Sequence, residues 1–119
     1  MRLPRLVILG FFLAAGLVPA LRGAGAPANP KEIAITVKRF EYSPKEVRLK
    51  QGETVTLVLT SQDVTHGLFC RKLKIDADIP PNQETRLTVT PQAAGSYTAI
   101  CNHFCGAGHG NMKMTFVVE

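Results

Sequence analysis

Short stretches of alternating hydrophobic and polar residues follow one another from Lys31 onward. In Glu32–Phe40, isoleucine or valine occupies every second position from residue 33 to residue 37. In Glu53–Thr60, valine or leucine does the same from residue 55 to residue 59. Side chains of a β-strand point alternately to its two faces, so this period of two predicts strands with one buried face. Similar alternation predicts further strands at Val47–Leu49, Glu84–Thr90, Gly95–Ile100 and Met114–Val118.

Two short apolar stretches, His66–Cys70 and Leu73–Ile75, complete a predicted set of about seven or eight strands. Turn-forming pairs such as Ser43-Pro44 and Gln51-Gly52 separate the strands, and Ile79–Asn82, with its two prolines, is expected to be irregular. No stretch of the sequence has the period of an amphipathic helix. The pattern therefore predicts an all-β domain, a β-sandwich of Greek-key type.

The first 26 residues have the composition of a signal segment. Arg2 and Arg5 precede the apolar run Leu6–Val18, which is shorter than the roughly 20 residues that a membrane-spanning helix needs. Small residues follow at which a signal peptidase could cut, and the sequence leaves the cleavage site open. We expect residues 1–26 to direct export and residues 27–119 to form one domain in the periplasm or elsewhere outside the cytoplasm. Retention of the segment as a membrane anchor is the alternative.

The charge of the chain is not that of a nucleic-acid-binding protein. The net charge of +5 includes three arginines among residues 1–26, and from residue 27 onward 11 lysines and arginines stand against 9 acidic residues. The basic residues form one short cluster, Arg71–Lys74. A cluster of that size is more typical of a solvated surface than of a docking patch for an acidic partner. We therefore expect no nucleic-acid partner.

Most residues that can bind a soft metal fall in the single stretch Cys101–Met112. It holds two of the three cysteines, two of the three histidines and one of the three methionines, in the order C-x3-C-x3-H-x2-M. Glycines between these donors allow a tight loop, and the predicted strands on both sides would hold it in place. His66 begins another predicted strand and can reach the same end of a sandwich. The candidate side-chain donors are His66, Cys101, Cys105, His109 and Met112.

Three kinds of metal site are compatible with these donors. A tetrahedral zinc site could use both cysteines and both histidines, but it would leave Met112 without a role. A mononuclear blue-copper site needs one cysteine, two histidines and a weak axial methionine, which leaves the second cysteine unexplained. A dinuclear copper site with two bridging thiolates uses every donor. A disulfide between Cys101 and Cys105 is the non-metal alternative, and it accounts for none of the other donors.

The donor loop resembles that of the dinuclear copper (CuA) domain of cytochrome c oxidase subunit II and of nitrous oxide reductase, which has a cupredoxin fold. A histidine in the context D-V-x-H is matched by Asp63–His66, and an I-D-A-x-P stretch by Ile75–Pro80 with one residue inserted. The resemblance covers residues 32–119. The family pattern C-x3-C-G-x2-H-x2-M is matched at Cys101, Cys105, Gly106, His109 and Met112.

The resemblance implies a role for each donor. The two loop cysteines would bridge two copper ions, one histidine would complete each ion, and the methionine would be a weak axial ligand. Two thiolates and a mixed-valence copper pair give a single positive charge, which one electron neutralises; this suits an electron carrier and leaves no open position for a substrate. The implied metal-site residues are His66, Cys101, His103, Cys105, His109 and Met112, with His103 contributing its backbone carbonyl as the other axial contact.

We therefore expect a copper-binding one-electron transfer protein, which is not an enzyme by itself but could serve as a subunit of a cytochrome c oxidase or related reductase. It would pass electrons between a cytochrome or copper protein and a terminal oxidase or reductase. Copper delivery or storage on the same fold is the alternative function.

The chain also departs from subunit II. The N-terminal segment is signal-like, His103 replaces a glutamate that serves a neighbouring magnesium site, and the chain has no tryptophan for electron uptake. Phe40 and Tyr42 stand in the region of that tryptophan-rich stretch, although core packing explains them equally well. Cys70 is expected to share a strand face with His66 as a small buried hydrophobe.

Overall fold

The computed structural model of the protein describes Gly16 and residues 30–119. Apart from Gly16, the predicted signal segment of residues 1–26 lies outside the described residues, so export remains a prediction. Within the described part of the chain, no helix combines the length and the apolar character that a membrane span requires.

In residues 30–119, nine β-strands form two sheets. The first sheet has the strand order β2-β1-β4-β7 and the second has the order β3-β9-β8-β5-β6. Two short 3₁₀ helices, Arg71–Leu73 and His109–Asn111, lie between strands. The strands are β1 (Lys31–Lys38), β2 (Glu41–Ser43), β3 (Glu46–Leu49), β4 (Val55–Ser61), β5 (His66–Cys70), β6 (Ile75–Ile79), β7 (Glu84–Val89), β8 (Gly95–Ile100) and β9 (Lys113–Val118).

The alternating residues of both sheets meet in one hydrophobic core, so the predicted all-β sandwich is confirmed. Strand β1 pairs with β4 in parallel, and both strands direct aliphatic side chains into the core. Removing these side chains from water is the main favourable contribution to folding. Fully buried core residues include Ile35, Val37, Leu57, Leu59, Leu68, Ile79 and Phe116.

Two details of the predicted strands are wrong. Strand β6 spans Ile75–Ile79, whereas the hydrophobic pattern predicted Leu73–Ile75 and an irregular Ile79–Asn82. A residue before proline favours an extended backbone, so the strand continues up to Pro80 and pairs along its whole length with β5. Strand β2 was not predicted, because its three residues, Glu41–Ser43, are too few to show an alternating pattern.

The positions of β5 and β8 determine where the donor residues meet. The two strands are antiparallel neighbours in the second sheet, paired at Phe69 and Ile100. His66 is the first residue of β5, and Cys101 directly follows the end of β8. Because the strands are antiparallel, the start of one and the end of the other lie at the same end of the sandwich.

Candidate metal centre

Two thiols and one imidazole meet in the interior at this end of the sandwich. One ligand atom each from His66, Cys101 and Cys105 lies within 4.8 Å of the other two, and all three side chains are buried. The two sulfur atoms are 3.7 Å apart, well beyond the about 2.05 Å of a disulfide bond. The cysteines of the chain are free thiols, so the disulfide alternative does not describe this structure.

The remaining predicted donors surround the two thiols. The Sγ of Cys105 is 3.7 Å from the Sδ of Met112 and 3.8 Å from the Nδ1 of His109. The Sγ of Cys101 is 3.1 Å from the carbonyl oxygen of His103. The structure therefore brings all six predicted metal-site residues into one cluster.

A carboxylate outside the predicted set orients His66. The Nε2 of His66 lies 2.6 Å from the Oδ1 of Asp63. The same oxygen accepts the backbone N–H of Val64, and the other carboxylate oxygen, Oδ2, accepts that of Arg39. Burial by itself would raise the pKa of Asp63, but these hydrogen bonds outweigh it and lower the pKa to about 2. The ionised carboxylate can only accept, so Nε2 donates to it, and in a neutral imidazole the other nitrogen, Nδ1, has a free lone pair.

The second ring nitrogen of His66 is suited to binding a cation. The Nδ1 of His66 is buried and has no hydrogen-bond partner. An unsatisfied polar atom in the interior costs about 1–3 kcal/mol, so native structures rarely keep one without a reason. A metal ion held by Nδ1 and the thiols would give this nitrogen a partner. A carboxylate hydrogen-bonded to the other nitrogen of a ligand histidine is common in metal sites.

The two thiols are better suited to binding a cation than to carrying negative charge without one. Burial raises the pKa of Cys105 to about 11, and the neighbouring Cys101 adds to this rise. Two thiolates so close together in the interior would repel each other without a positive charge between them. We therefore expect the thiol of Cys105 to be protonated without metal and to release its proton when a metal binds.

Hydrogen bonds and the ring of Phe40 hold the donor loop in place. At its base, the N–H of Cys101 donates to the carbonyl of Met112 over 3.2 Å. Farther along, the Nε of Arg39 donates to the carbonyl of Cys105 over 2.9 Å. Phe40 lies against two loop glycines, where added Cβ atoms would come within 2.5 to 3.0 Å of its ring. Phe40 therefore packs on the loop.

Strand β5 also approaches the loop closely at Gly67. The N–H of Gly67 donates to the Sγ of Cys101 over 3.4 Å, and the carbonyl of Gly67 accepts the hydroxyl of Tyr42 over 2.5 Å. Burial raises the pKa of Tyr42, and the thiols of Cys101 and Cys105 add to this rise, so the phenol keeps its proton. Tyr42 is thus a core residue with a polar contact at the site.

Sequence reasoning did not assign functions to Arg39, Asp63 or Gly67. A signal for Asp63 was present, because the spacing D-x2-H places a carboxylate near the histidine. No comparable signal exists for Arg39 and Gly67, whose contacts join parts of the chain that are distant in sequence. Cys70 is buried in the hydrophobic core on the same strand face as His66, as predicted.

The sequence matches the family model of a cupredoxin-like domain over residues 6–118. The chain belongs to this family. The cupredoxin is 32% identical over 91 residues to cytochrome c oxidase subunit 2 of Thermus thermophilus, a match that covers 76% of the chain and 67% of the relative. It is also 32% identical over 102 residues to nitrous-oxide reductase of Ralstonia nicotianae, covering 81% of the chain and 16% of the relative.

The fold has a close counterpart among solved structures. The periplasmic domain of subunit II of cytochrome oxidase (CoxB) of Bradyrhizobium japonicum superposes with a TM-score of 0.70 at 16% identity, covering 80% of this chain and 88% of that one. At this identity the likeness supports the fold alone. The two sequence relatives confirm the resemblance drawn from the loop motif, and membership of this family implies copper-based electron transfer. The cupredoxin spans about two thirds of the oxidase subunit and a small part of the reductase.

Replacing Gly67 by alanine should loosen the donor loop. The added Cβ would lie 2.1 Å from the Oδ1 of Asn102 and 3.0 Å from the backbone nitrogen of His103. Because the loop must move away, we expect a loss of roughly 1–3 kcal/mol in the free energy of unfolding and faster labelling of the buried thiols. Chemical denaturation and thiol-labelling kinetics of the metal-free protein measure these effects. Gly110→Ala is the control, since a Cβ there meets nothing within 4 Å; equal effects in both variants would contradict the prediction.

Proposed function

We propose that this cupredoxin holds a dinuclear copper centre of CuA type and carries single electrons. The observation that carries the proposal is the pair of buried thiols 3.7 Å apart, next to a buried imidazole nitrogen without a partner. When bound, a copper pair would supply a site that takes up and releases one electron. Cys101 and Cys105 would bridge the ions, and His66 and His109 would each complete one.

The weaker donors support the same proposal. A mononuclear copper site would use one thiolate, and a tetrahedral zinc site would have no use for a thioether. Here the Sδ of Met112 is buried beside Cys105, and the carbonyl of His103 is beside Cys101. Each thiol thus has one strong nitrogen donor in the cluster and one weak donor close by, which is the arrangement that a pair of ions needs.

The burial of the donors favours electron transfer over copper delivery. A delivery protein must exchange its metal and would be expected to expose methionine and histidine ligands. In this chain Met112 is 1% exposed, and His66 and both bridging candidates are buried. His109 is half-buried, so three of the four strong donors and the thioether are shielded from water. A metal held there would be retained, and the rigid sheets beneath would limit movement of its ligands on electron uptake.

A redox partner would meet the protein at the donor loop. Phe104 is 77% exposed, and its ring centroid lies 5.8 Å from that of His109. An exposed aromatic ring beside a ligand histidine offers a short route from the surface to the site. We propose a cytochrome, a copper protein or a terminal oxidase or reductase as the partner, in the periplasm or another extracytoplasmic compartment.

The stoichiometry of the loaded protein tests the proposal directly. We expect two copper ions per chain and one unpaired electron shared by both, because the paired thiolates connect the ions. Metal analysis and an electron paramagnetic resonance spectrum measure this. One zinc ion, or one copper ion with an ordinary mononuclear spectrum, would rule out the dinuclear centre.

Serine substitutions should separate the bridging cysteines from the third one. Cys101→Ser or Cys105→Ser removes one bridge, so each variant should bind one copper and change colour, since the other thiol, the imidazoles and the thioether remain. Cys70→Ser is the matched control and should keep two coppers, although a buried hydroxyl without a partner would cost about 1–3 kcal/mol of stability. Copper content and visible absorption compare the variants. Loss of the pair in Cys70→Ser alone would refute this ligand set.

Met112→Leu should keep two coppers and raise the redox potential. A thioether is a weak axial ligand that donates more to the electron-poor oxidised site, so its loss favours the reduced state. The apolar volume is nearly conserved, so stability should fall by less than about 1.5 kcal/mol. Potentiometric titration of the loaded protein measures the shift. Met114→Leu, at a buried core methionine of β9, is the control; loss of copper from the Met112 variant would show that the thioether is needed to hold the ions.

A further inference from the structure

Both backbone polar groups of Gly67 contact side chains from other parts of the chain. Phe69, two residues farther on, pairs with Ile100 at the end of β8. Backbone groups two residues apart on a strand point to the same neighbouring strand, but β8 has already ended opposite Gly67. Its N–H donates to the Sγ of Cys101 instead, and its carbonyl accepts the hydroxyl of Tyr42.

Tyr42 reaches this glycine from the other sheet. It lies on β2 in the first sheet, whereas Gly67 lies on β5 in the second. The side chain is 1% exposed, and its hydroxyl donates over 2.5 Å to Gly67. A phenylalanine ring would fill almost the same space in the core, so packing alone does not require a hydroxyl there. What the hydroxyl adds is an anchor for the backbone of Gly67.

The anchored residue is the one that contacts a thiol of the site. The N–H of Gly67 lies 3.4 Å from the Sγ of Cys101, and the fixed carbonyl of the same residue limits how far that N–H can turn. Hydrogen bonds around a ligand sulfur tune the redox potential of a copper–thiolate site. An N–H donor stabilises the electron-rich reduced state and therefore raises the potential.

We propose that Tyr42 is a positioning residue, whose hydroxyl holds Gly67 so that the Gly67 N–H stays directed at the sulfur of Cys101. The inference rests on the proposed function, in which Cys101 is a bridging ligand. Tyr42 would then set part of the redox potential without touching the metal, through one backbone residue.

The test compares two tyrosine-to-phenylalanine variants. Tyr42→Phe keeps the ring and removes only the hydroxyl, so the N–H to sulfur bond should weaken and the midpoint potential should fall while two coppers remain bound. Tyr97→Phe is the matched control, because its hydroxyl also donates to a backbone carbonyl, that of Ala93 at 2.8 Å, but lies four residues before Cys101 on β8. Tyr97→Phe should not change the midpoint potential.

A second measurement does not depend on copper. In the metal-free protein, the amide of Gly67 should exchange its hydrogen faster in Tyr42→Phe than in the unsubstituted protein, and Tyr97→Phe should not change it. An unchanged potential with two coppers bound, or an unchanged exchange rate, would overturn the role of Tyr42 and leave the proposed function intact. An unsubstituted protein that does not bind two coppers would instead overturn the proposed function and this inference with it. If Tyr42→Phe binds fewer than two coppers, the exchange rate of the Gly67 amide in the metal-free protein decides: faster exchange supports the role of Tyr42, and an unchanged rate overturns it.

Discussion

Two thiol sulfurs lie 3.7 Å apart in the interior, beside an imidazole nitrogen without a hydrogen-bond partner, and the surrounding strands keep them there. Burial disfavours charge on any of these groups, and two thiolates so close would repel each other. A nearby cation would remove this repulsion. The chain keeps these donors together in the interior, although a hydrophobic core without them would be easier to build.

Strands of the second sheet hold the cluster in place. Strands β8 and β9 pair from their ends at the loop to their far ends, and the Cys101–Met112 hydrogen bond closes the base of the loop between them. Strand β5 brings His66 to the same place from the other side. A site whose donors come from paired strands is held more precisely than one on a free loop, and limited movement of the ligands is what single-electron transfer requires.

Three residues of the cluster are also supported by residues outside the loop motif. Asp63 is hydrogen-bonded to His66, Gly67 donates to one thiol, and Arg39 donates to the carbonyl of the other cysteine. These residues lie in β5 and in the connections beside β1 and β4, away from the donor loop in sequence. The loop motif therefore contains the candidate donor atoms, while these supporting residues contact them from other parts of the chain.

The all-β sandwich and the candidate donors could both be predicted from the sequence. Alternation in strands such as β1 and β4 reports which face is buried, and the spacing of the cysteines, His109 and Met112 is local, so both can be recognised without coordinates. The short strand β2, the full extent of β6 and the contacts of Gly67 and Tyr42 were decided by tertiary structure alone. Pairing between strands and hydrogen bonds between sheets join residues distant in sequence, and no local pattern of residue types records them.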